Sequence, residues 1–180
     1  MTLAVDRKGH WMQTYTGKQF WPLDPRPEDI HILDIAHSLS AICRYGGHTQ
    51  KFYSVAEHCV LMSYVVPEED RLWALLHDAT EAYVGDMVRP LKVDMPAFCE
   101  AEDRVMDAIV ARYGLSNSVM PASVHDADTR IIMDEKLAVM APGEGQWDFD
   151  GILPLNVKIR AWTQEVAQSM YLGRFCELYE

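Results

Sequence analysis

Apolar residues recur with helical spacing over much of this chain of 180 residues. In the segment that begins at Glu28 they fall on one face of a helix, and the pattern stops at Gly46 and Gly47. The residues of this face are Ile32, Ile35, Ala36, Leu39, Ile42 and Cys43. A helix with one apolar face must bury that face against a neighbouring element, so the chain is expected to fold as packed helices.

Five further helices are predicted from capping residues and from Pro and Gly boundaries. Ser54 and Glu57 have the spacing of a capping box, in which each side chain satisfies a free backbone N–H of the other. Pro67 ends that helix and can begin the next one, whose interior from Leu72 to Leu76 is continuously apolar and therefore expected to be buried. The predicted ranges are 54–66, 68–83, 96–114, 123–140 (with Ser123 as its cap) and 156–178.

The N-terminal segment has a different pattern. Two short pieces that favour β-structure lie on either side of Gly17 and Lys18, between Tyr15 and Trp21, and they predict a small hairpin. A second irregular segment is predicted over 142–155. The predicted fold class is all-α, a single helical-bundle domain over residues 1–180 with a short irregular or hairpin segment at its N-terminus.

Charge and composition exclude several classes of partner. The chain has 16 Lys and Arg residues against 27 Asp and Glu, a net charge of −11, so it lacks the positive field that binds duplex nucleic acid. No stretch approaches the roughly 18 consecutive apolar residues of a membrane span, and the N-terminus lacks the apolar core of a signal peptide. We therefore expect no membrane segment and a cytoplasmic location. The cysteines, expected as reduced core side chains, are Cys43, Cys59, Cys99 and Cys176.

The dipeptide His77-Asp78 is the first candidate for chemistry. It follows the apolar run of the predicted third helix, and a buried carboxylate beside a buried imidazole is costly unless both are paired or coordinated. Imidazole with carboxylate suits Zn²⁺, Mn²⁺, Co²⁺ or Fe²⁺ better than Ca²⁺ or Mg²⁺. An ion pair at a helix end would explain the same dipeptide.

A second dipeptide, His125-Asp126, serves as an internal comparison. It lies in the polar first turn of the predicted fifth helix, where the helix dipole favours an Asp without any metal. We therefore expect this pair to be exposed and the first pair to be buried.

A metal needs more ligands, and two candidates lie on neighbouring helices. His58 is on the helix that connects through Pro67 to the one bearing His77, although a hydrogen-bonded core histidine is the simpler explanation. Asp128 lies at the start of a helix whose apolar face must meet the core. Asp134 is the alternative candidate for this ligand, but its neighbours Glu135 and Lys136 suggest a face in contact with solvent.

Several of these residues belong to longer motifs. His58, the pair His77-Asp78 and Asp128 resemble the H…HD…D signature of the HD-domain phosphohydrolase superfamily. The run from His77 to Lys92 is similar to the HDAxExxxGDxxxPxK motif of bacterial 5′-deoxynucleotidases. Four further motifs are similar to those of phage and prophage members of this group, which include dATP triphosphohydrolases. They are YTGKQF at 15–20, DIAHSLS at 34–40, CRYGGH at 43–48 and FYSVAEH at 52–58. The resemblance covers residues 14 to about 140.

The resemblance implies a metal site with a catalytic acid. The implied ligands are His58, His77, Asp78 and Asp128, holding a divalent transition metal: Zn, Mn or Co, with Ni and Fe as further candidates. Asp128 is preferred to Asp134 because ADTRIIMDE at 127–135 resembles the family's AD-x-x-x-L-x-x-E helix. Glu81, one helical turn after His77, corresponds to the acidic residue that assists hydrolysis together with Asp78.

The resemblance also implies contacts with a nucleotide. Arg44 and Lys92 correspond to phosphate ligands, and Asp86 to a residue near the sugar. The deoxynucleotidases carry Trp after the arginine, at a position that shapes the sugar and base pocket, whereas this chain has Tyr45 there. The resemblance therefore implies that Tyr45 contacts the substrate, and the sugar and base preferences of the family are the properties that it supports least. His48 follows two glycines that allow close backbone approach, and it is a candidate for nucleotide contact or for a structural role in the loop.

The expected function is metal-dependent hydrolysis of a deoxynucleotide at its 5′-phosphoester. Removal of phosphate from a monophosphate and release of triphosphate from a dNTP both stay open, because Arg44 and Lys92 would serve either reaction. The alternatives are a catalytically silent module that binds nucleotide and metal, and a structural protein whose His and Asp residues form buried ion pairs. By resemblance alone, we expect a homo-oligomer in the cytoplasm of a bacterium or of a phage-infected host.

Overall fold

The all-α fold class is confirmed by a computed structural model, which describes residues 6–116 and 118–179. The helices are α1 (Ile32–Ala41), α2 (Val55–Val65), α3 (Arg71–Leu76), α4 (Glu81–Val84), α5 (Arg89–Lys92), α6 (Pro96–Tyr113), α7 (Ala122–Val139) and α8 (Gln164–Leu178). Short 3₁₀ turns cover Pro27–Asp29 and Glu68–Asp70, and Arg44–Gly47 is a tight turn in which Tyr45 and Gly46 are left-handed. Among the described residues, none of the helices combines the length and the apolar character that crossing a membrane requires.

The N-terminal hairpin is present, but its first strand lies earlier than predicted. Strand β1 (Met12–Gln13) pairs antiparallel with β2 (Gln19–Phe20). The residues between them are needed for the turn, which is closed by the Thr14 N–H donating to the Lys18 carbonyl at 2.9 Å. Phe20 is completely buried and stacks on Tyr83, which anchors the hairpin to the helical core.

Helix α2 lies at the centre of the bundle and packs against α1, α3, α7 and α8. Ser54 caps it as predicted, accepting a hydrogen bond from the Glu57 N–H at 3.1 Å. The reciprocal half of the capping box is absent, because the buried Glu57 carboxylate accepts the backbone N–H groups of Arg160, Ala161 and Trp162 instead. The carboxylate therefore ties a distant segment to the central helix.

The predicted third helix is interrupted, which corrects the range 68–83. Residues 77–80 form a tight turn between α3 and α4, with the Ala79 N–H bonded to the Leu76 carbonyl at 2.9 Å and the Glu81 N–H to the Asp78 carbonyl at 3.0 Å. These bonds span three residues, as in a 3₁₀ helix, rather than four. His77 and Asp78 therefore lie in a turn that leaves the buried helix, and not within it.

The predicted last helix is also too long. Helix α8 begins at Gln164, with Thr163 as its N-cap, and residues 156–163 are not helical. Asn156 and Ala161 have φ values of 62° and 54°, in the left-handed region, which a right-handed helix cannot include. This segment is held by hydrogen bonds to Glu57, which is about 100 residues earlier in the chain. Local sequence patterns cannot predict such contacts.

Two smaller predictions are corrected as well. Helix α7 occupies nearly its predicted range, but Ser123 does not cap it, because Pro121 is the N-cap and the Ser123 hydroxyl donates to Asp70. All four cysteines are free, as expected, yet only Cys59 is fully buried and Cys176 is exposed.

Candidate metal centre

The four residues that the sequence predicts as metal ligands meet at one point of the bundle. Helix α2 supplies His58, the turn after α3 supplies His77 and Asp78, and α7 supplies Asp128. His58 Nε2 lies 3.2 Å from both His77 Nε2 and Asp128 Oδ1, and His77 Nε2 lies 3.2 Å from Asp78 Oδ2. The ligand atoms of the two histidines and Asp128 all fall within 4.8 Å of one another.

The hydrogen bonds of the two histidines fix which nitrogen is available to a cation. His58 Nδ1 lies 2.6 Å from Glu135 Oε1, and His77 Nδ1 lies 2.8 Å from the Ala74 carbonyl oxygen. Carboxylate and carbonyl oxygens can only accept, so both Nδ1 atoms donate, and in the neutral rings both Nε2 lone pairs face each other. Facing lone pairs repel unless a cation lies between them, so the residues present fit a divalent transition metal.

The carboxylates around the histidines also favour a positive charge at this point. Burial opposes protonation of His77, but the Asp78 carboxylate outweighs it and raises the pKa of His77 well above its usual range. Burial likewise opposes ionisation of Asp128, yet the hydrogen bond and charge of His58 and the charge of His77 lower the pKa of Asp128 to about 2. Asp78 and Asp128 are the more exposed members, with side chains 21% and 38% accessible, so the cluster opens on their side.

Glu135 is the residue of this site that the sequence interpretation missed. Its position beside Lys136 suggested a face in contact with solvent, but Glu135 is completely buried. Besides His58 Nδ1 it accepts the hydroxyl of Tyr53 at 2.9 Å and that of Tyr45. The sequence spacing could have indicated this position. Glu135 lies seven residues after Asp128, and therefore two turns further along the same face of α7.

Arg44 lies between the cluster of candidate metal ligands and Glu135. Its NH1 group is 3.4 Å from Asp78 Oδ2, and its Nε is 3.2 Å from Glu135 Oε1. Burial favours the neutral form of Glu135, but the charges of Arg44 and His58 lower the pKa of Glu135 to about 2. The next residue, Tyr45, has a left-handed φ of 58°, which turns the chain beside the cluster. Arg44 therefore presents positive charge beside the cluster, as its predicted role requires.

Glu81 and Lys92 line a cleft beside the cluster, with a volume of about 320 Å³. Its polar lining includes His77, Asp78, Glu81, Lys92, Glu102 and Asp103. The Oε2 atom of Glu81 is buried without a hydrogen-bond partner. Burial, followed by the charges of Asp78 and Asp86, raises the pKa of Glu81 well above its usual range. Lys92 reaches the cleft with its ammonium paired to Glu102 at 2.7 Å.

The two remaining predicted residues lie at the surface, and the charges of Arg44, Asp78 and Lys92 act on one of them, Asp86. Asp86 and His48 are both exposed, and the backbone N–H of His48 closes the Arg44–Gly47 turn on the Tyr45 carbonyl at 3.1 Å. Their contacts with a nucleotide stay predictions. The sequence interpretation assigned Cys59 only to the core, but its thiol sulfur lies within 4.8 Å of the ligand atoms of His77 and Asp78.

The residues that served as comparisons behave as expected. His125 and Asp126 are exposed, and Asp126 pairs with Arg130 at 3.2 Å, one turn along the helix. Asp134 uses its Oδ2 atom to accept the Leu155 N–H at 2.8 Å. The preference for the first His-Asp pair and for Asp128 is therefore consistent with the geometry.

Comparison with known proteins gives two relatives, and no family model matches the chain. The uncharacterized protein YfdR of Escherichia coli strain K12 is 44% identical over 172 residues, which are 94% of this chain and 96% of YfdR. An uncharacterized protein of Rhodobacter capsulatus is 39% identical over 130 residues, covering 67% of this chain and 66% of that protein. At this identity and coverage, the chain belongs to the same family as YfdR.

Proposed function

We propose that the protein is a metal-dependent phosphohydrolase that cleaves the 5′-phosphoester of a deoxynucleotide. The observation that supports this most is the pair of Nε2 atoms of His58 and His77, 3.2 Å apart and accompanied by Asp78 and Asp128. A divalent ion bound there, with Zn, Mn and Co as first candidates and Ni and Fe after them, would polarise a phosphoryl oxygen and make water a stronger acid.

Arg44 supports phosphate as the group that is bound. Its guanidinium is a planar fork that matches the oxygens of a phosphate, and it lies within 3.4 Å of the candidate ligand Asp78. A phosphoester bridging the cluster and Arg44 would have its negative charge neutralised from two sides. Lys92 would supply a second positive charge from the cleft if phosphate displaced Glu102 from its ammonium.

Glu81 favours an enzyme over a silent binding module. Its carboxyl group lines the cleft next to His77 and Asp78, has an unpartnered buried oxygen, and has a raised pKa. Such a group can hold a proton near neutral pH and exchange it with water or with the leaving oxygen. A module that only binds nucleotide has no use for a proton-transfer group at this position.

The supply of positive charge favours a monophosphate over a triphosphate. Arg44 is already shared between Asp78 and Glu135, and Lys92 is paired with Glu102. Among the described residues that line the cleft, Lys92 is the only Lys or Arg. A triphosphate brings more negative charge than one divalent ion and these two already paired groups can offset, so we propose a deoxynucleoside monophosphate as the substrate.

A substrate panel tests the proposal. Purified protein is incubated with deoxynucleoside mono- and triphosphates and Mn²⁺, Co²⁺ or Zn²⁺, and the products are resolved by chromatography. We expect nucleoside and inorganic phosphate from the monophosphates. Triphosphate released from a dNTP would identify the alternative reaction. Turnover of neither class with any of the three metals would overturn the enzymatic proposal, and nucleotide binding without product would favour the silent module.

Replacing Glu81 with Gln tests the proton-transfer role. We expect kcat to fall by roughly 10²- to 10⁴-fold, because the amide cannot exchange a proton, while the metal content stays unchanged. Asp103→Asn is the matched control, since Asp103 lines the same cleft without an assigned role. An unchanged kcat for Glu81→Gln in protein that still binds metal would remove Glu81 from the mechanism.

A further inference from the structure

Residues 144–151 form a loop that carries two aromatic side chains, and four contacts hold this aromatic loop in place. Lys136 Nζ lies 5.0 Å from the centre of the Trp147 ring and pairs with Asp150. Asp150 in turn accepts the Trp147 N–H at 3.0 Å. Arg89 lies over the Phe149 ring at 5.0 Å. The loop is therefore fixed to α7 at one point and to α5 at another.

Trp147 lies next to the candidate site although it is distant from it in sequence. Its ring centre is 6.0 Å from that of Tyr45, at an angle of 51°. The Tyr45 hydroxyl donates to Glu135, and the preceding residue is Arg44, which contacts Asp78. Trp147 is only half-buried. A partly open aromatic ring thus lies just outside the group proposed to bind phosphate.

We propose that Trp147 is a specificity-determining residue that binds the base of the nucleotide by stacking. The inference rests on the proposed function, since it takes the phosphate to lie at Arg44. In a nucleotide the sugar separates the phosphate from the base, so the base must reach a surface beyond the Arg44 and Tyr45 side chains. Trp147 is an aromatic surface in that position, and every nucleobase has a π-face that can stack on it.

The cleft lined by Glu81 and Lys92 suits a nucleotide less well. Its acidic lining consists of Asp78, Glu81, Glu102 and Asp103. Among the described lining residues Lys92 is the only Lys or Arg, and it is paired with Glu102. Even if a phosphate displaced Glu102 from Lys92, a whole nucleotide in this cleft would meet more negative than positive charge, from Asp78, Glu102 and Asp103. We therefore assign the cleft to water and to proton exchange, and the side of Trp147 to the base.

If the base stacks on Trp147, the protein should discriminate little between the four bases. Stacking depends on the presence of a base and little on its identity, so the four deoxynucleoside monophosphates should differ modestly in KM. A substrate without a base, 2-deoxyribose 5-phosphate, should bind much more weakly than any of them. Trp147→Ala should therefore raise the KM of the nucleotides by roughly 5- to 150-fold, and leave that of 2-deoxyribose 5-phosphate unchanged.

The matched variants are Trp147→Phe and Trp11→Ala. A phenyl ring retains a stacking surface, so Trp147→Phe should recover most of the lost KM. Trp11 is an exposed tryptophan beside β1, 51% accessible, and its replacement should change neither KM. An equal rise for both substrates in Trp147→Ala would assign the residue a structural role and overturn the proposal. Met106 is an apolar residue that lines the cleft. A rise in nucleotide KM caused by Met106→Ala, with no rise in Trp147→Ala, would place the base in the cleft and overturn the proposal as well.

A binding measurement separates this inference from the proposed function. dAMP is titrated into metal-stripped wild-type protein, in which no hydrolysis occurs, while tryptophan fluorescence is recorded. We expect saturable quenching that is lost in Trp147→Phe and retained in Trp11→Phe. Quenching of unchanged amplitude in Trp147→Phe, together with an unchanged dAMP affinity in Trp147→Ala, would exclude Trp147 as the base-binding residue. Quenching by dAMP in a protein that hydrolyses no phosphoester would refute only the proposed function.

Discussion

His77→Ala is expected to abolish both stoichiometric metal binding and phosphohydrolysis. The variant removes one of two Nε2 atoms that lie 3.2 Å apart, so the cluster loses a central ligand. A transition metal held in a protein site normally needs three or four protein ligands. Elemental analysis of protein dialysed against the metal measures the first effect, and release of inorganic phosphate from dAMP measures the second.

His125→Ala is the matched control, because His125 also precedes an Asp but is exposed at the start of α7. It should keep the metal content and the rate of the wild type. A thermal scan adds a readout that does not depend on activity, since a ligand that binds only the folded state raises the Tm. Added metal should raise the Tm of the wild type and of His125→Ala, and not that of His77→Ala. Equal metal content in all three proteins would show that the cluster is a set of buried ion pairs.

The resemblance supplied the full set of candidate ligands, and only part of their surroundings is encoded locally. The apolar run before His77 implies burial, and the capping residue Ser54 sets the start of the helix that carries His58. Asp128 was favoured by the motif that the resemblance supplied. Local patterns cannot predict the turn at 77–80, in which His77 Nε2 and Asp78 Oδ2 lie 3.2 Å apart. In a regular helix, adjacent side chains diverge by about 100°.

Other parts of the site depend on contacts between distant segments. Glu135 looks like a surface residue beside Lys136, and its burial is explained only by partners from two other elements, Tyr45 and His58. The segment 156–163 is apolar enough to suggest a helix, but three of its N–H groups bind the Glu57 carboxylate. Trp147 lies in a loop that no periodicity describes. For Glu135 and for the segment 156–163, a long-range polar contact overrides the local preference.

Glu135→Ala is expected to reduce both stability and metal affinity by large amounts. The completely buried carboxylate accepts from His58 and from two tyrosines and pairs with Arg44, so its removal leaves a buried cation and several donors without partners. Breaking a buried ion pair in this way costs about 3–5 kcal/mol of unfolding free energy. Loss of the group that orients a histidine ligand typically weakens metal binding by about 10- to 100-fold.

Urea unfolding and a metal-binding titration measure these two effects. Asp134→Asn is the control on the same helix, because its side chain can still accept the Leu155 N–H and it should cost less than about 1 kcal/mol. Glu135→Ala protein with wild-type stability and metal affinity would show that Glu135 neither holds the fold nor orients His58.

The pH dependence of stability tests the charge of Glu135 separately. Its pKa falls from an ordinary value of 4.5 to about 2 in the folded protein, so the folded state binds the proton less readily than the unfolded chain does. The stabilisation from the ionised carboxylate is therefore fully present above pH 4.5 and is lost as the pH falls toward 2. Asp128, whose pKa is also about 2, loses its contribution over part of the same range in every variant that retains it.

The isosteric variant Glu135→Gln isolates the contribution of Glu135 within that range. In metal-free protein, the difference in unfolding free energy between wild type and Glu135→Gln should be largest near neutral pH. It should shrink by about 3 kcal/mol as the pH is lowered from 5 to 2, because the protonated wild-type side chain then resembles the amide. Urea titrations at several pH values give this difference directly. A difference that does not change with pH would mean that the ionised carboxylate gains nothing from Arg44 and His58, and that Glu135 contributes only through its hydrogen bonds.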